Sequence, residues 1–244
     1  MKTKFLILFQ LILIAASSLF AQELGQTSYR EVKENGKTVT KQLKFDAFTE
    51  FDEEGREIHF KGTSDYEYWK EYDSEGKIVH YKESDGSETW YEYDEKGKEI
   101  REWGNSFSDD FDYNFEYDSK GNLKRRTDSI SGSETSYETD SKGNVTHKKT
   151  STGTETWYKY DRKGNVTYEK SSNGNENVFT YDSKGNVLYA RYSMEYLGDF
   201  GYIHEYDKKG NLLHTKWDDG SESWYEYTYH PNGKVKMQMS FSTL

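Results

Sequence analysis

The sequence predicts an all-β chain of tandem β-hairpins, running as one long coiled antiparallel meander sheet that is shell-like or solenoid-like. Three observations predict it. Nine turn glycines, Gly55, Gly76, Gly97, Gly121, Gly143, Gly164, Gly185, Gly210 and Gly233, recur at intervals of 21 to 25 residues, and a period near twenty marks a repeat architecture. Segments rich in Tyr, Thr, Val and Phe run between them, bounded by Gly, Asn and Asp, as strands are. Cys is absent and Pro occurs once, at Pro231, so regularity must do what disulfides do in many secreted domains.

The chain opens on Lys2 and Lys4, the apolar run Phe5 to Ala16, and small residues leading to Ala21. Residues 1–21 read as a secretory signal peptide cleaved after Ala21, too short to span a bilayer with flanks. No second apolar run of spanning length follows, so no integral membrane segment is expected. Residues 22–49 form a lead-in, read as a degenerate repeat, and residues 50–244 a nine-unit repeat domain. Losing residues 1–21 removes two lysines and no acid, taking the formal charge from −11 to −13. That balance argues against nucleic acid or an anionic membrane as partner.

Within a unit, Tyr160-Asp161-Arg162-Lys163-Gly164-Asn165-Val166 places Asp at the first corner of a type I turn and Gly at the left-handed position, a hairpin with a G1 bulge. About ten residues on, Ser84-Asp85-Gly86-Ser87, Ser172-Asn173-Gly174-Asn175 and Asp218-Asp219-Gly220-Ser221 read as a second kind of turn, with positive φ at both central residues. Pairing across the two turns sets Tyr160 opposite Val166, Val166 opposite Tyr181, and Tyr181 opposite Val187. A second row on the same face reads Tyr137, His147, Tyr158, Tyr168, Phe179, Tyr189, and this face is the expected core. An apolar share of 32%, much of it Tyr, makes that core thin and aromatic. The opposite face carries Glu88, Trp90 and Glu92, then Glu155, Trp157 and Lys159, then Glu222, Trp224 and Glu226. Units of 24 and 25 residues keep the Tyr-Asp turn, so their insertions fall on the other edge, near Gly104 to Asp110 and Ser193 to Gly201.

Stretches such as SDGSETWYEYDEKGKEI, STGTETWYKYDRKGNV and SNGNENVFTYDSKGNV resemble the YD repeats of the Rhs and teneurin type, over roughly residues 50 to 235. The resemblance implies a secreted or surface-exposed β-sheet shell or spiral, with carbohydrate binding or enclosure of a passenger as roles. Nine units are few to enclose a passenger, and no toxin-like C-terminal domain follows, which leaves self-contained binding. The last unit, WYEYTYHPNGKVK, also resembles MORN-type repeats, and the Gly and Trp-Tyr spacing is similar to choline-binding repeats; the Tyr-Asp pair in most units favours the YD assignment.

Catalytic and metal readings are weak. His59, His80, His147 and His214 lie four residues after a turn glycine, where other units place Tyr168, Tyr189 or Met237, so repeat position accounts for them. Equivalent sites two strands apart are separated by about 9.5 Å, whereas two ligands of one zinc each sit about 2 Å from it. The Ser-x-x-Lys string at Ser74 sits in a turn, and Asp109, Asp110 and Asp112 lack a calcium-loop glycine. Glu88 and Glu92 suit a solvated strand face better than a hydrolase pair. No cofactor, metal or enzyme activity is expected. The site residues expected are Trp69, Trp90, Trp157 and Trp224 as stacking platforms, with Glu92 and Glu226 accepting hydrogen bonds from sugar hydroxyls. The function this indicates is a secreted, periplasmic or cell-surface module that binds glycan or envelope polysaccharide; the alternative is a repeat scaffold that pairs with another protein.

Overall fold

A computed structural model describes residues 20–34, 37–106, 109–195 and 198–243. The signal-peptide stretch through residue 19 lies outside the described residues. The chain is an antiparallel all-β meander of nineteen strands among the described residues: β1 Thr27–Glu34, β2 Lys37–Phe51, β3 Glu57–Gly62, β4 Glu67–Tyr72, β5 Ile78–Glu83, β6 Glu88–Tyr93, β7 Glu99–Asn105, β8 Asp110–Tyr117, β9 Leu123–Asp128, β10 Glu134–Thr139, β11 Val145–Thr150, β12 Glu155–Tyr160, β13 Val166–Ser171, β14 Glu176–Tyr181, β15 Val187–Met194, β16 Gly198–Tyr206, β17 Leu212–Trp217, β18 Glu222–Tyr229 and β19 Val235–Ser242. It divides into two compact units, residues 1–69 with 222–244, and residues 70–221.

Both hairpin edges use one turn, which corrects the expectation of two kinds. At the Tyr-Asp edge Asp161 N–H donates to Asn165 O at 2.9 Å and Gly164 N–H to Asp161 O at 3.3 Å. At the other edge Ser171 N–H donates to Asn175 O at 2.9 Å and Gly174 N–H to Ser171 O at 3.1 Å. The glycines take φ of +91° and +92°, whereas Asn173 is not left-handed; Asp65, at +59°, is the one described non-glycine residue that is. A type I turn closed by a left-handed residue needs one positive φ, not two, so Asp-Gly and Asn-Gly here are its last two corners.

What differs between the edges is the ladder beyond the turn. Tyr160 pairs with Val166 and Tyr181 with Val187, as the sequence indicates, but Lys159 then pairs with Tyr168 and Thr180 with Tyr189. Thr167 and Leu188 are the extra residues of a β-bulge, and bulges one residue before the Tyr-Asp corner recur at Glu50/Phe51, Glu92/Tyr93, Glu116/Tyr117, Glu138/Thr139 and Glu205/Tyr206. An inserted residue turns the following side chains to the other face. Tyr158 therefore pairs with Glu169 and not with Tyr168, and across the next hairpin Tyr168 pairs with Val178, setting Val166 out of the expected match with Tyr181. His147, Tyr168 and Tyr189 move from the expected Tyr row onto the Trp face.

The motif residues hold this geometry. Asp161 Oδ1 accepts the backbone N–H groups of Lys163 and Asn165 at 2.8 and 2.9 Å, and its Oδ2 accepts Asn165 Nδ2 at 2.9 Å. The tyrosine before the Asp ties the unit to its predecessor: Tyr160 OH donates to Val145 O and Tyr181 OH to Val166 O, both at 2.6 Å, with Tyr93 to Ile78 and Tyr206 to Val187 at 2.8 and 2.9 Å.

In the first unit β19 pairs with both β18 and β2, and β2 with β3. The last strand thus joins the second by an in-plane antiparallel ladder, which a solenoid reading does not contain. The hydrophobic cluster lies here, formed by Val32, Leu43, Phe45, Phe48, Trp224, Met237, Met239 and Phe241. In β2 the buried positions are Leu43 and Phe45, then Phe48 and Glu50, a phase change at the bulge where Asp46 falls between the partners of Ser240 and Phe241. Trp224 pairs with Phe241 and Phe241 with Phe45, so this core occupies the Trp face, not the expected Tyr face. The reason is the lead-in, whose β1–β2 hairpin brings Val32 and Leu43 to that face, with Phe20, Ala21, Leu24 and Val39 packed against the cluster.

The second unit runs in chain order. Its longer units extend the hairpins by added rungs, Asn105 with Asp110 and Met194 with Gly198; residues 107–108 and 196–197 of the expected insertions lie outside the described residues.

Two outcomes follow. Gly164→Ala, which forces an L side chain to φ +91°, lowers unfolding free energy by about 1–2 kcal/mol in urea denaturation. Hydrogen bonds from backbone N–H groups hold Asp73, Asp94 and Asp118 below the ordinary 3.8, and the side chain and backbone of Asn165 do so for Asp161. Their contribution is whole above 3.8 and is lost as pH falls through the lowered folded values. The urea midpoint should therefore fall between about pH 4 and pH 2, less steeply in Asp161→Asn.

Candidate functional site

The bulge builds a cluster that recurs on the Trp face. In the first unit β3 and β4 pair His59 with Trp69 and Lys61 with Glu67. The two rings stack at 5.4 Å between centroids and 10° between planes. His59 Nδ1 lies 2.7 Å from Glu50 Oε2, its Nε2 2.8 Å from Glu67 Oε1, and Lys61 Nζ donates to Glu67 Oε2 at 2.8 Å. The second unit holds two further copies. On β5 and β6, His80 stacks on Trp90 at 3.8 Å and 11°, His80 Nε2 lies 3.3 Å from Glu88 Oε2, and Lys82 reaches Glu88 at 2.6 Å. On β11 and β12, His147 stacks on Trp157 at 5.3 Å and 12°, lies 3.3 Å from Glu155, and Lys149 reaches Glu155 at 2.6 Å.

The chemistry explains the set. Each histidine is held edge-on by carboxylates and face-on by an indole, so the Trp ring has one face occupied and a fixed orientation. Burial pushes His59 down, but the hydrogen bonds its protonated ring donates to Glu50 and Glu67, and the charges of those carboxylates, more than offset this, so the imidazole sits above its ordinary 6.5. Its cationic form then lies over an indole face, a favourable arrangement. The hydrogen bonds from Lys82 and Lys149 hold Glu88 and Glu155 below the ordinary carboxylate value.

Trp69, Trp90 and Trp157 are 38%, 40% and 41% exposed, whereas Trp224 is 2% exposed. Trp224 sits in the hydrophobic cluster under Lys41 Nζ, 4.4 Å from its ring, and Lys41 pairs with Glu222 at 3.0 Å. Glu226 is engaged by Arg30 at 2.6 Å, and that guanidinium covers Phe241 at 3.8 Å. The lead-in therefore covers the place where an open platform was expected. Glu92 is exposed on β6 opposite Arg101, which forks onto Asp112 at 2.8 and 3.0 Å.

Two components were missed in the sequence. The histidines were assigned to repeat position alone, although His-x-Lys, then Glu eight and Trp ten residues after the His, recurs at His59, His80, His147 and His214. Trp103 was not singled out, yet it pairs directly with Trp90, with Arg101 4.7 Å from its ring. His80, Trp90, Trp103 and Asp112 thus form one line across β5 to β8. Among the described residues no group of three or more His, Asp or Glu is placed to hold a metal ion, and no helix is long and apolar enough to cross a membrane.

No protein family and no curated protein matches the chain. Similar solved structures include TcdB2-TccC3-Cdc42, at 13% identity and TM-score 0.40 over 86% of this chain and 14% of that one. TcdB2-TccC3 without its hypervariable C-terminal region is similar at 12% and 0.39, over 86% and 13%. A porin-like protein from Bacteroides uniformis ATCC 8492 is similar at 12% and 0.41, over 82% and 97%. The chain spans about a seventh of the length of the first.

Because the folded pKa of His59 is raised, its stabilising contribution is whole below 6.5 and is lost as pH rises through the folded value. Thermal stability should therefore decline as pH rises above 6.5, and His59→Gln should flatten that decline; an unchanged slope in the variant refutes the assignment.

Proposed function

We propose that this chain is a secreted, non-enzymatic binding protein of the YD-repeat type, and that its ligand is a glycan or envelope polysaccharide taken on the Trp face of residues 70–221. The observation that carries this reading is that Trp90 and Trp157 are 40% and 41% exposed while the histidine stacked on each has a ring nitrogen 3.3 Å from a carboxylate oxygen. A packed indole belongs in a core and a free one moves; these are ordered and open, which suits stacking on a sugar ring with little entropy lost on binding.

The line from Trp90 to Trp103 places two indoles on adjacent strands of one face, as a stacking surface wider than a single ring. Glu92, Arg101 and Asp112 flank it with acceptors and donors for hydroxyl groups. Trp69 belongs to the first unit and supplies a separate, single platform. Trp224 and Glu226 drop out because the cluster and Arg30 occupy them. Secretion rests on residues 1–21. Processing after Ala21 removes Phe20 and Ala21 from the cluster and leaves Leu24 and Val39 on it.

Trp90→Ala combined with Trp157→Ala should weaken binding on a glycan array by at least about tenfold, or about 1.4 kcal/mol, with the circular dichroism spectrum unchanged. Full binding by the folded double variant defeats the proposal.

A further inference from the structure

The opposite face of the second unit carries a depression that neither the Tyr-Asp motif nor the Trp clusters explain. The equivalent position of successive units on that face is Tyr113 on β8, Thr135 on β10, Thr156 on β12, Asn177 on β14 and Tyr202 on β16. Their partners on the intervening strands are Glu102, Arg126, Lys148, Glu169 and Ala190. Three successive small polar residues therefore stand between two tyrosines. The outcome is a trough of about 370 Å³ lined by Lys148, Thr150, Thr154, Thr156, Glu169, Ser171, Asn175 and Asn177.

Its lining is polar throughout, with a definite pattern of donors and acceptors. Thr156, 4% exposed, is the floor. Asn177 Nδ2 donates to Glu169 Oε2 at 3.1 Å, and this fixes the amide, because the carboxylate must face the NH₂ group. Asn177 Oδ1 is left buried without a hydrogen-bond partner. A buried acceptor left unpaired is destabilising. Lys148 presents an ammonium beside the ring of Tyr158, 5.6 Å from its centroid. The trough thus offers a cationic donor and a carboxylate, with the buried amide oxygen of Asn177 beside that carboxylate.

We propose that this trough is a second binding site, taking a short neutral oligosaccharide through its vicinal hydroxyl groups. A vicinal diol answers such a lining, since one hydroxyl accepts from Lys148 while its neighbour donates to Glu169. A bare anion would meet Glu169, and an apolar ligand would leave all these groups unpaired. The trough crosses β11 to β14, three strand spacings or about 14 Å, longer than one sugar ring. It lies on the face away from Trp90 and Trp157 and is independent of the platform proposed there.

The test is amide NMR of residues 22–244 titrated with cellotetraose, chitotetraose, maltotetraose and xylotetraose. At least one sugar should shift the amides of residues 148–177 on the trough strands. Asn177→Tyr places in the trough the side chain that Tyr113 and Tyr202 carry in the same column, and should weaken that response by at least about tenfold. Thr156→Tyr provides a second filling variant should Asn177→Tyr not fold. The response should persist in Trp90→Ala with Trp157→Ala. Shifts abolished by the double Trp variant and untouched by either filling variant would leave the platform standing and overturn the trough. No shift with any of the four sugars overturns it as well.

Discussion

The left-handed residue at the end of each type I turn is the constraint on which the rest depends. Most of the hairpins close with an N–H to O bond spanning five residues, and that closure requires one positive φ, supplied by glycine at Gly76, Gly97, Gly143, Gly164, Gly174 and Gly185. With the turn geometry set, the Asp side chain finds two backbone N–H groups within reach. These donors are otherwise unpaired at a sheet edge, so the carboxylate performs for a turn what a capping residue performs for a helix. The Asn four residues after the Asp then donates to the second carboxylate oxygen and lies over the next turn: a Cβ on Gly164 would meet Asn144 Oδ1 at 3.5 Å, and one on Gly185 would meet Asn165 Oδ1 at 3.7 Å. Lys163 and Lys184 continue the link by donating to the turn carbonyls of Ser183 and Lys208. Turn therefore specifies turn along one edge, and a repeat can keep its register with little apolar burial.

The bulge beside each Tyr-Asp corner determines the function of the faces. Read as a plain ladder, the residue four after a turn glycine would lie beside Tyr158; with Thr167 inserted, Tyr168 lies opposite Lys159. The same shift carries His80 and His147 onto Trp90 and Trp157. Their carboxylate and lysine partners are half-exposed ion pairs, each of small worth by itself. Their value is positional, because imidazole, carboxylate and lysine together leave the indole one orientation.

The strands, the nine turns closed by the repeat glycines and the Tyr160 to Val166 pairing were legible because turn residues have local causes: Asp and Gly announce most of the corners. The bulge was not legible, since Thr167 and Leu188 differ in no local way from an ordinary strand residue, and a one-residue insertion reverses every assignment after it. That is why Tyr168 and His147 were put on the wrong face while Trp90 and Trp157 were put on the right one. The location of the core was obscured for a different reason. Alternation in Met237, Met239 and Phe241 marks a buried face, but which face depends on Val32 and Leu43 arriving from residues 22–49, a contact distant in sequence. The cluster itself was legible in retrospect, since His, Lys, Glu and Trp keep one spacing four times, and that regularity was masked by reading each histidine as an alternative to tyrosine.

The two units are stabilised by different physics, and this bears on where binding can reside. The first has Trp224, Phe48, Phe241 and Leu43 almost wholly buried in one cluster, and large side chains removed from water contribute about 1.5–3 kcal/mol each. The buried residues of the second are Ser87, Thr135, Thr156, Ala190, Thr215 and two histidines, too small and too polar to supply a comparable term. Its order comes from backbone ladders, tyrosine hydroxyls on carbonyls and Asp-centred turns, none of which consumes the outward surface of a strand. Side chains such as Trp90, Trp103, Lys148 and Asn177 are thereby released from holding the fold. A sheet whose register is set at its edges can vary its faces without losing that register.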